Sequence, residues 1–162
     1  MGGTVTVAVA DDQYVVFSID GEEFALGIAQ VREIIRPPAV TRLPHAAEFI
    51  EGVTNLRGEV IPVVDLRKRL GVSGTAADSR VVVAEMGGDK VGLRVDAVTE
   101  VRRIAPSDVQ PPPESVAGIR SEFLKGVGKV DGRLLILIDI EKLFATTEKV
   151  ELIAAKRGGS VA

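Results

Sequence analysis

The feature that most constrains the fold of this chain is an internal repeat of a strand, a tight turn and a second strand. Residues 49–70 have the sequence FIEGVTNLRGEVIPVVDLRKRL, and residues 123–144 have the sequence FLKGVGKVDGRLLILIDIEKLF. In each copy a turn containing glycine separates two apolar runs, which is the pattern of a β-hairpin. An aspartate after the second run is suited to cap a short helix. Two such copies predict two similar structural units in one chain.

The segments that precede these copies also repeat. Apolar runs on either side of Asp20-Gly21 and of Gly87-Gly88 each predict a hairpin, and another apolar strand follows each hairpin. The second unit carries seven more residues before its copy of the main repeat, including the stiff proline run at 111–113. Each unit therefore contains about five short strands.

Five short strands with frequent turn signals are too few for a sandwich and are typical of a small closed barrel. We expect one all-β domain over residues 1–162, built from two pseudo-repeated five-stranded β-barrels packed side by side, with short helices. The predicted barrel halves are residues 11–72 and 80–145. A leading strand within residues 1–10 is expected, and its pairing with the second barrel stays open. Residues 146–162 are expected to form a C-terminal helix and tail.

Composition excludes several classes of protein. The net charge is −3 and aromatic residues are 4% of the chain, whereas nucleic-acid readers need a basic face that often carries stacking aromatics. Zero cysteines exclude disulfides and thiolate metal sites. No apolar run approaches the roughly 20 residues that span a bilayer, and no signal peptide is recognisable. We therefore expect a globular cytoplasmic protein that is not inserted into a membrane.

The residues that could support catalysis are scattered. His45 is the single histidine, so histidine-clustered metal sites are excluded. The glycines at 126–129 lack the spacing and the Ser or Thr of a phosphate-binding loop. Asp65 and Asp139 occupy equivalent positions of the repeat, which favours two helix caps over a catalytic pair. We expect a protein without enzymatic activity and without a cofactor.

With two β units, the NLRG turn and no catalytic set, the chain resembles the CheW family of chemotaxis coupling proteins. The matching stretches are residues 14–35, 49–70, 81–104 and 123–144, which cover most of the chain in the family's order. The resemblance implies two five-stranded SH3-like barrels with a hydrophobic seam between them. It also implies a non-enzymatic adaptor that is cytoplasmic and is recruited to membrane-associated receptor arrays.

The resemblance further implies two partners and their contact positions. One partner is the regulatory domain of the histidine kinase CheA, and the other is the cytoplasmic tip of a chemoreceptor, bound in the groove between the barrels. The positions that match receptor contacts in the family are Val31, Glu33, Gly52, Arg57, Val95 and Val98. The expected kinase contact is the loop containing Val40, Leu43 and Pro44.

Each of these positions also has a structural interpretation. The valines fit core packing, and Gly52 fits a close backbone approach. Arg57 is the stronger functional candidate, because a long cation on a turn has little role in a core, and its guanidinium can bind a carboxylate with a planar fork. The residues alone leave two alternative functions open, an oligonucleotide-binding β-barrel module and a small-molecule enzyme that uses the cleft between barrels. The acidic balance opposes the first, and the scattered titratable groups oppose the second.

Overall fold

The structure is a computed structural model, and it describes residues 12–44, 46–72, 74, 78–116, 119–144 and 152. The strands of the described part are β1 (Gln13–Ile19), β2 (Glu22–Gly27), β3 (Val31–Ile35), β4 (Ile50–Leu56), β5 (Glu59–Asp65), β6 (Arg80–Met86), β7 (Asp89–Val95), β8 (Ala97–Arg103), β9 (Val109–Gln110), β10 (Ser115–Val116), β11 (Ile119–Arg120), β12 (Leu124–Val130) and β13 (Arg133–Ile138). A four-residue helix, α1 (Leu66–Arg69), follows β5. Short 3-10 turns cover Ile28–Gln30, Pro106–Asp108 and Ser121–Phe123.

Four hairpins are closed by two-residue turns in which both residues have positive φ. The second turn residue is glycine in every case, and the first is Asp20, Arg57, Gly87 or Asp131. This type I′ geometry matches the right-handed twist of the flanking strands, and it favours Asn, Asp or Gly at the first position. The turn residues therefore establish the hairpins β1–β2, β4–β5, β6–β7 and β12–β13 locally, as the sequence predicts.

The strands assemble into two larger sheets and one small one. The orders are β8-β1-β2-β13-β12-β9, β3-β6-β7-β5-β4 and β10-β11. The pairs β2–β13 and β5–β7 are parallel, and the others are antiparallel. When each strand is replaced by its equivalent in the repeat, the five-stranded order becomes the first five strands of the six-stranded order. The two sheets are thus related by the sequence duplication.

The sheets differ from the prediction that residues 11–72 and 80–145 each form a barrel of their own. Hairpin β1–β2 pairs with β8 and β13 of the second half, and hairpin β6–β7 pairs with β3 and β5 of the first half. The N-terminal hairpins of the two units are exchanged. The local patterns predict the hairpins but not this exchange, because a duplicated hairpin offers the same apolar faces to either half.

The main core lies between the two sheets and draws side chains from both. Phe17 and Phe24 of the six-stranded sheet stack with ring centroids 5.9 Å apart, and Val82 and Leu93 of the five-stranded sheet belong to the same cluster. Successive residues of a strand point to opposite faces, so each sheet holds a smaller cluster on its other face. Apolar residues are consequently buried on both faces of most strands.

Two expected segments lie outside the described residues. These are the leading strand expected within residues 1–10 and most of the C-terminal helix and tail expected over residues 146–162. Leu152 is the described residue of that helix; it is helical and packs into the main core. Within the described part of the chain, no helix has the length and apolar character needed to cross a membrane.

Candidate functional site

The candidate site is centred on an ion pair between Arg57 and Glu33. Arg57 is on the turn that joins β4 to β5, and its Nη2 donates to Glu33 Oε2 on β3. Strands β3 and β4 are the two edges of the five-stranded sheet, so this pair joins the edges where the sheet curls into a barrel. Leu56 and Ile35 pack against the same small apolar cluster beneath it. The Arg57 side chain is 68% exposed and stays accessible to a partner.

Arg57 is an unusual residue for its backbone conformation. Its φ is +52°, in the left-handed region that most L side chains avoid. The turn is stabilised by Asn55 and not by Arg57, because Asn55 Oδ1 accepts a hydrogen bond of 2.8 Å from the Gly58 amide. The turn therefore does not require arginine at position 57. A residue that contradicts the local preference is expected where function requires it.

The equivalent turn on the six-stranded sheet carries the opposite charge. Asp131 occupies the position of Arg57 and accepts a hydrogen bond from Arg102 on β8. Beside it, Arg133 donates to Glu100 at 2.7 Å and to Glu23 at 3.1 Å. These hydrogen bonds from arginine lower the pKa of Asp131 and the pKa of Glu100 below their ordinary values. The duplicated scaffold thus presents a cation at one tip and an anion at the other.

Gly52 is required by a close approach of two backbone segments. A Cβ at this position would lie 2.1 Å from the carbonyl oxygen of Thr41 and 2.8 Å from Val40 Cγ1. Thr41 forms an isolated bridge with Val53, with N–O distances of 2.8 and 2.9 Å. The Thr54 hydroxyl also donates to the carbonyl of residue 39 at 2.7 Å. The predicted receptor residue Gly52 therefore has a sufficient structural reason to be glycine.

The same approach fixes the loop that was predicted to contact the kinase. Val40 lies against Gly52, Val40 and Leu43 are half-buried, and Pro44 is exposed. Because the loop is hydrogen-bonded to β4, it offers a preformed surface rather than a free segment. The residue after Pro44, His45, is outside the described residues.

The three predicted valines differ in exposure. Val31 and Val98 are equivalent positions of the repeat, and both are half-buried against the main core. Val95 is 1% exposed and belongs to that core, so its side chain offers no surface for direct contact. The structure therefore brings Glu33 to Arg57 while Val95 has a packing role.

Exposed apolar side chains on the strands next to the ion pair in sequence were not assigned to the site from the sequence. Ile34 is 40% exposed beside Glu33, and Val60 is 36% exposed on the strand that follows Arg57. Their repeat equivalents, Val101 and Leu134, are exposed at 53% and 56%. The sequence VREII does not alternate apolar and polar residues, so the exposure of Ile34 is visible only in the structure, where half-buried and exposed residues alternate along β3. A module that exposes an ion pair and several apolar side chains on the same strands is suited to binding proteins.

The described residues contain no group of three or more His, Asp or Glu side chains arranged to hold a metal ion. Asp65 caps α1 as predicted, since its Oδ1 accepts a hydrogen bond of 3.0 Å from the Arg67 amide. Asp139 Oδ1 accepts the equivalent bond of 3.0 Å from the Glu141 amide, but residues 140–144 form a turn and not the predicted helix. The fold and the candidate site together define a β-sheet module for protein–protein interaction.

Comparisons with known proteins identify the family. A family model described as the CheW-like domain matches residues 13–148. The chain is 36% identical over 155 residues to the chemotaxis protein CheW of Klebsiella aerogenes, covering 91% of this chain and 93% of that protein. It is 33% identical over 159 residues to the chemotaxis protein CheW of Thermotoga maritima, covering 96% and 98%. The crystal structure of the scaffolding protein TtCheW from Thermoanaerobacter tengcongensis matches with a TM-score of 0.77 and 41% identity, covering 85% of this chain and 90% of that chain.

Because these matches span most of the chain, it belongs to the CheW-like family. Its role is that of a chemotaxis coupling adaptor, and the resemblance noted from the repeat is confirmed. The all-β prediction with two related β units is confirmed as well.

Proposed function

We propose that this adaptor couples the cytoplasmic tip of chemoreceptors to the regulatory domain of the histidine kinase CheA, without catalysing a reaction itself. It acts in the cytoplasm and is recruited to membrane-associated receptor arrays, where both partners meet. Receptor conformation then biases kinase activity through the adaptor. No cofactor takes part in this function.

The observation that carries the receptor assignment is the accessible ion pair of Arg57 and Glu33. A receptor tip is a helical hairpin, and it offers carboxylates and carbonyl oxygens that a guanidinium can bind with two parallel hydrogen bonds. Glu33 holds the Arg57 side chain in one orientation, which reduces the entropy lost when a partner binds. The half-buried Val31 and Val98 supply apolar contact, and Gly52 keeps the local backbone in place.

The proposed kinase contact is the loop with Val40, Leu43 and Pro44. Half-buried apolar side chains on a loop that is already ordered can bury area against a partner at low entropic cost. The loop is anchored to β4 beside Gly52, so the two proposed contact regions share one strand. A conformational change at one region can therefore reach the other through a rigid element.

The test of the receptor contact is a kinase activation assay with receptor fragments, CheA and this protein. Arg57→Glu replaces the cation with an anion beside Glu33 and is expected to abolish receptor-dependent activation while the protein stays folded. Lys129→Glu is the matched control, because Lys129 is an exposed cation on β12 and undergoes the same charge reversal. Full activation by folded Arg57→Glu protein would contradict the receptor assignment.

The kinase contact is tested separately by titrating the regulatory domain of CheA. Leu43→Asp places a charge on the proposed contact loop and is expected to weaken binding of this domain without changing receptor binding. Leu134→Asp is the control, since Leu134 is an exposed leucine on the other sheet. If Leu43→Asp bound the regulatory domain as tightly as the wild type, the assignment of the kinase contact to this loop would be wrong.

A further inference from the structure

A polar cleft of about 380 Å³ lies at the end of β5 and β7, near the start of α1. Its lining includes four cations, Arg42, Arg67, Lys68 and Arg94, and three carboxylates. The cleft is more than ten times larger than the roughly 30 Å³ that one water occupies in the liquid. It can therefore accept side chains of a partner and not just solvent.

Two of the four cations are neutralised inside the protein. Arg67 donates to both carboxylate oxygens of Asp96, at 2.8 and 2.7 Å, and Arg94 donates to both oxygens of Glu51, at 2.6 and 2.7 Å. Burial acts to raise the pKa of Asp96, but the hydrogen bonds from Arg67 and the Asp20 amide outweigh it and hold this pKa below its ordinary value. Both carboxylates are thus already engaged by an arginine of the cleft.

The other two cations, Arg42 and Lys68, have exposed side chains. Neither has an ion pair or a side-chain hydrogen bond within the described part of the chain. They come from the loop before β4 and from α1, so two separate elements direct positive charge to one cleft. The third carboxylate, Asp65, accepts the amide of Arg67 as a helix cap. The charge available to an incoming group is therefore positive.

We propose that this cleft binds an acidic segment of a protein partner, with Arg42 and Lys68 binding its carboxylates. Arg42 lies in the sequence between Val40 and Leu43, in the loop proposed to contact the kinase, and the cleft also reaches Val95 at the end of β7. A protein docked on the loop would carry its acidic residues to this cleft. The choice of a protein partner rests on the proposed adaptor function, whereas the anion preference rests on the cleft alone.

The test is a titration of the full chain with a short glutamate peptide at low salt, followed by NMR amide shifts. The expected result is a shift of the amides of Ser79 and Arg94, which line the cleft, and binding that weakens as salt is added. A glutamine peptide of the same length is expected not to bind. Arg42→Gln with Lys68→Gln is expected to weaken glutamate-peptide binding about tenfold, because two charge-assisted contacts are lost.

The matched control is Arg36→Gln with Lys129→Gln, which removes one exposed arginine and one exposed lysine that do not line the cleft. This control is expected to bind the peptide as the wild type does. Equal weakening in both double variants would show nonspecific attraction and would overturn the site. Inorganic phosphate that displaces the peptide at equal concentration would overturn the assignment to a protein segment, as would failure of the peptide to bind the wild type.

This test is independent of the receptor assignment. If Arg57→Glu retained kinase activation while the peptide still required Arg42 and Lys68, the proposed receptor contact would fail and the acidic-segment site would stand. Binding of the kinase regulatory domain can be compared on the same double variant, Arg42→Gln with Lys68→Gln. If the domain bound this variant as tightly as the wild type, the acidic segment that occupies the cleft would belong to a protein other than the kinase.

Discussion

The two hairpin tips of the duplicated scaffold are the most informative comparison in the molecule. Both tips have the same turn geometry, with Arg57 at φ +52° and Asp131 at φ +50°. Each tip forms an ion pair with the strand at one edge of its sheet, Arg57 with Glu33 on β3 and Asp131 with Arg102 on β8. The charges are opposite. This turn position favours aspartate and not arginine, so the turn geometry does not explain Arg57, and we propose that the cation serves partner binding.

The largest expected effect concerns the glycines that precede the two tips. Gly52→Ala is expected to destabilise the protein by about 4 kcal/mol, because the new Cβ would lie 2.1 Å from a backbone oxygen of Thr41. Gly126→Ala meets the Gln110 oxygen at 2.7 Å and is expected to cost less. Urea unfolding of both variants measures the difference. A smaller loss of unfolding free energy for Gly52→Ala than for Gly126→Ala would contradict the conclusion that Gly52 is the more closely packed of the two glycines.

The next effect concerns how α1 is tied to the N-terminal hairpin. Asp96 Oδ2 accepts hydrogen bonds of 2.7 Å from both Arg67 Nη2 and the Asp20 amide, and so links α1 to the hairpin turn. In the second copy of the repeat, the amide of Gly87 donates at 3.1 Å to the exposed Glu141, which is at the position of Arg67. Asp96→Asn removes the carboxylate that accepts two hydrogen bonds from the largely buried Arg67 guanidinium, and it is expected to cost about 2 kcal/mol at neutral pH.

This pair also predicts a pH dependence. The folded pKa of Asp96 is lowered, so its contribution is fully present above the ordinary carboxyl pKa of about 3.9 and is lost as the pH falls through the lowered value. The unfolding free energy of Asp96→Asn is therefore expected to decrease less than that of the wild type as the pH falls, measured by urea unfolding from pH 7 to pH 3. If the unfolding free energy of Asp96→Asn fell with pH as much as that of the wild type, other carboxylates would be responsible for the acid destabilisation. Glu141→Gln is the control and is expected to change stability by less than about 0.5 kcal/mol.

A third effect concerns the contact between the two sheets. Arg69 occupies the position equivalent to Leu143, and its guanidinium lies 5.1, 4.8 and 5.8 Å from the ring centroids of Phe49, Phe123 and Phe144. Its Nε also donates to the Leu143 carbonyl at 2.8 Å. Arg69→Leu is expected to lower the unfolding free energy by about 1.5 kcal/mol. A thermal unfolding midpoint equal to that of the wild type would mean that leucine replaces the arginine fully.

The sequence predicted the local structure of this protein far better than its long-range pairing. The turns at Asp20-Gly21 and Arg57-Gly58 are encoded by a few adjacent residues, because φ > 0 restricts the choice of side chain. The exchange of hairpins depends on parallel pairing such as Val63 with Gly92, which no local pattern specifies. The duplication adds to the ambiguity of long-range pairing, because each N-terminal hairpin could pair with the strands of either half.

The candidate site shows the same limit. Glu33 and Arg57 are 24 residues apart, and their contact arises only when the two sheet edges meet. The burial of Val95 follows from both faces of β7 being covered, whereas an apolar residue in an apolar strand is equally compatible with a groove. The helix cap at Asp65 was predictable, because capping is local, whereas Asp139 makes the same hydrogen bond at the start of a turn.

The smallest expected effect on stability is at the tips. Arg57→Asn places a residue that favours the left-handed turn, and it removes an exposed ion pair, so the two changes nearly cancel and stability is expected to change by less than about 0.5 kcal/mol. Asp131→Asn is expected to be similarly mild. Urea midpoints of the two variants check this. A large loss of stability in Arg57→Asn would indicate that the ion pair closes the barrel and would weaken the functional interpretation.

The most direct test of the central claim compares these two variants in receptor-dependent activation of CheA. Each variant puts the same neutral residue at the same position of an equivalent turn, so differences in folding are minimised. We expect Arg57→Asn to lose most of the activation and Asp131→Asn to retain it. Equal activation by the two variants, or a loss confined to Asp131→Asn, would contradict the assignment of the receptor contact to the tip that carries Arg57.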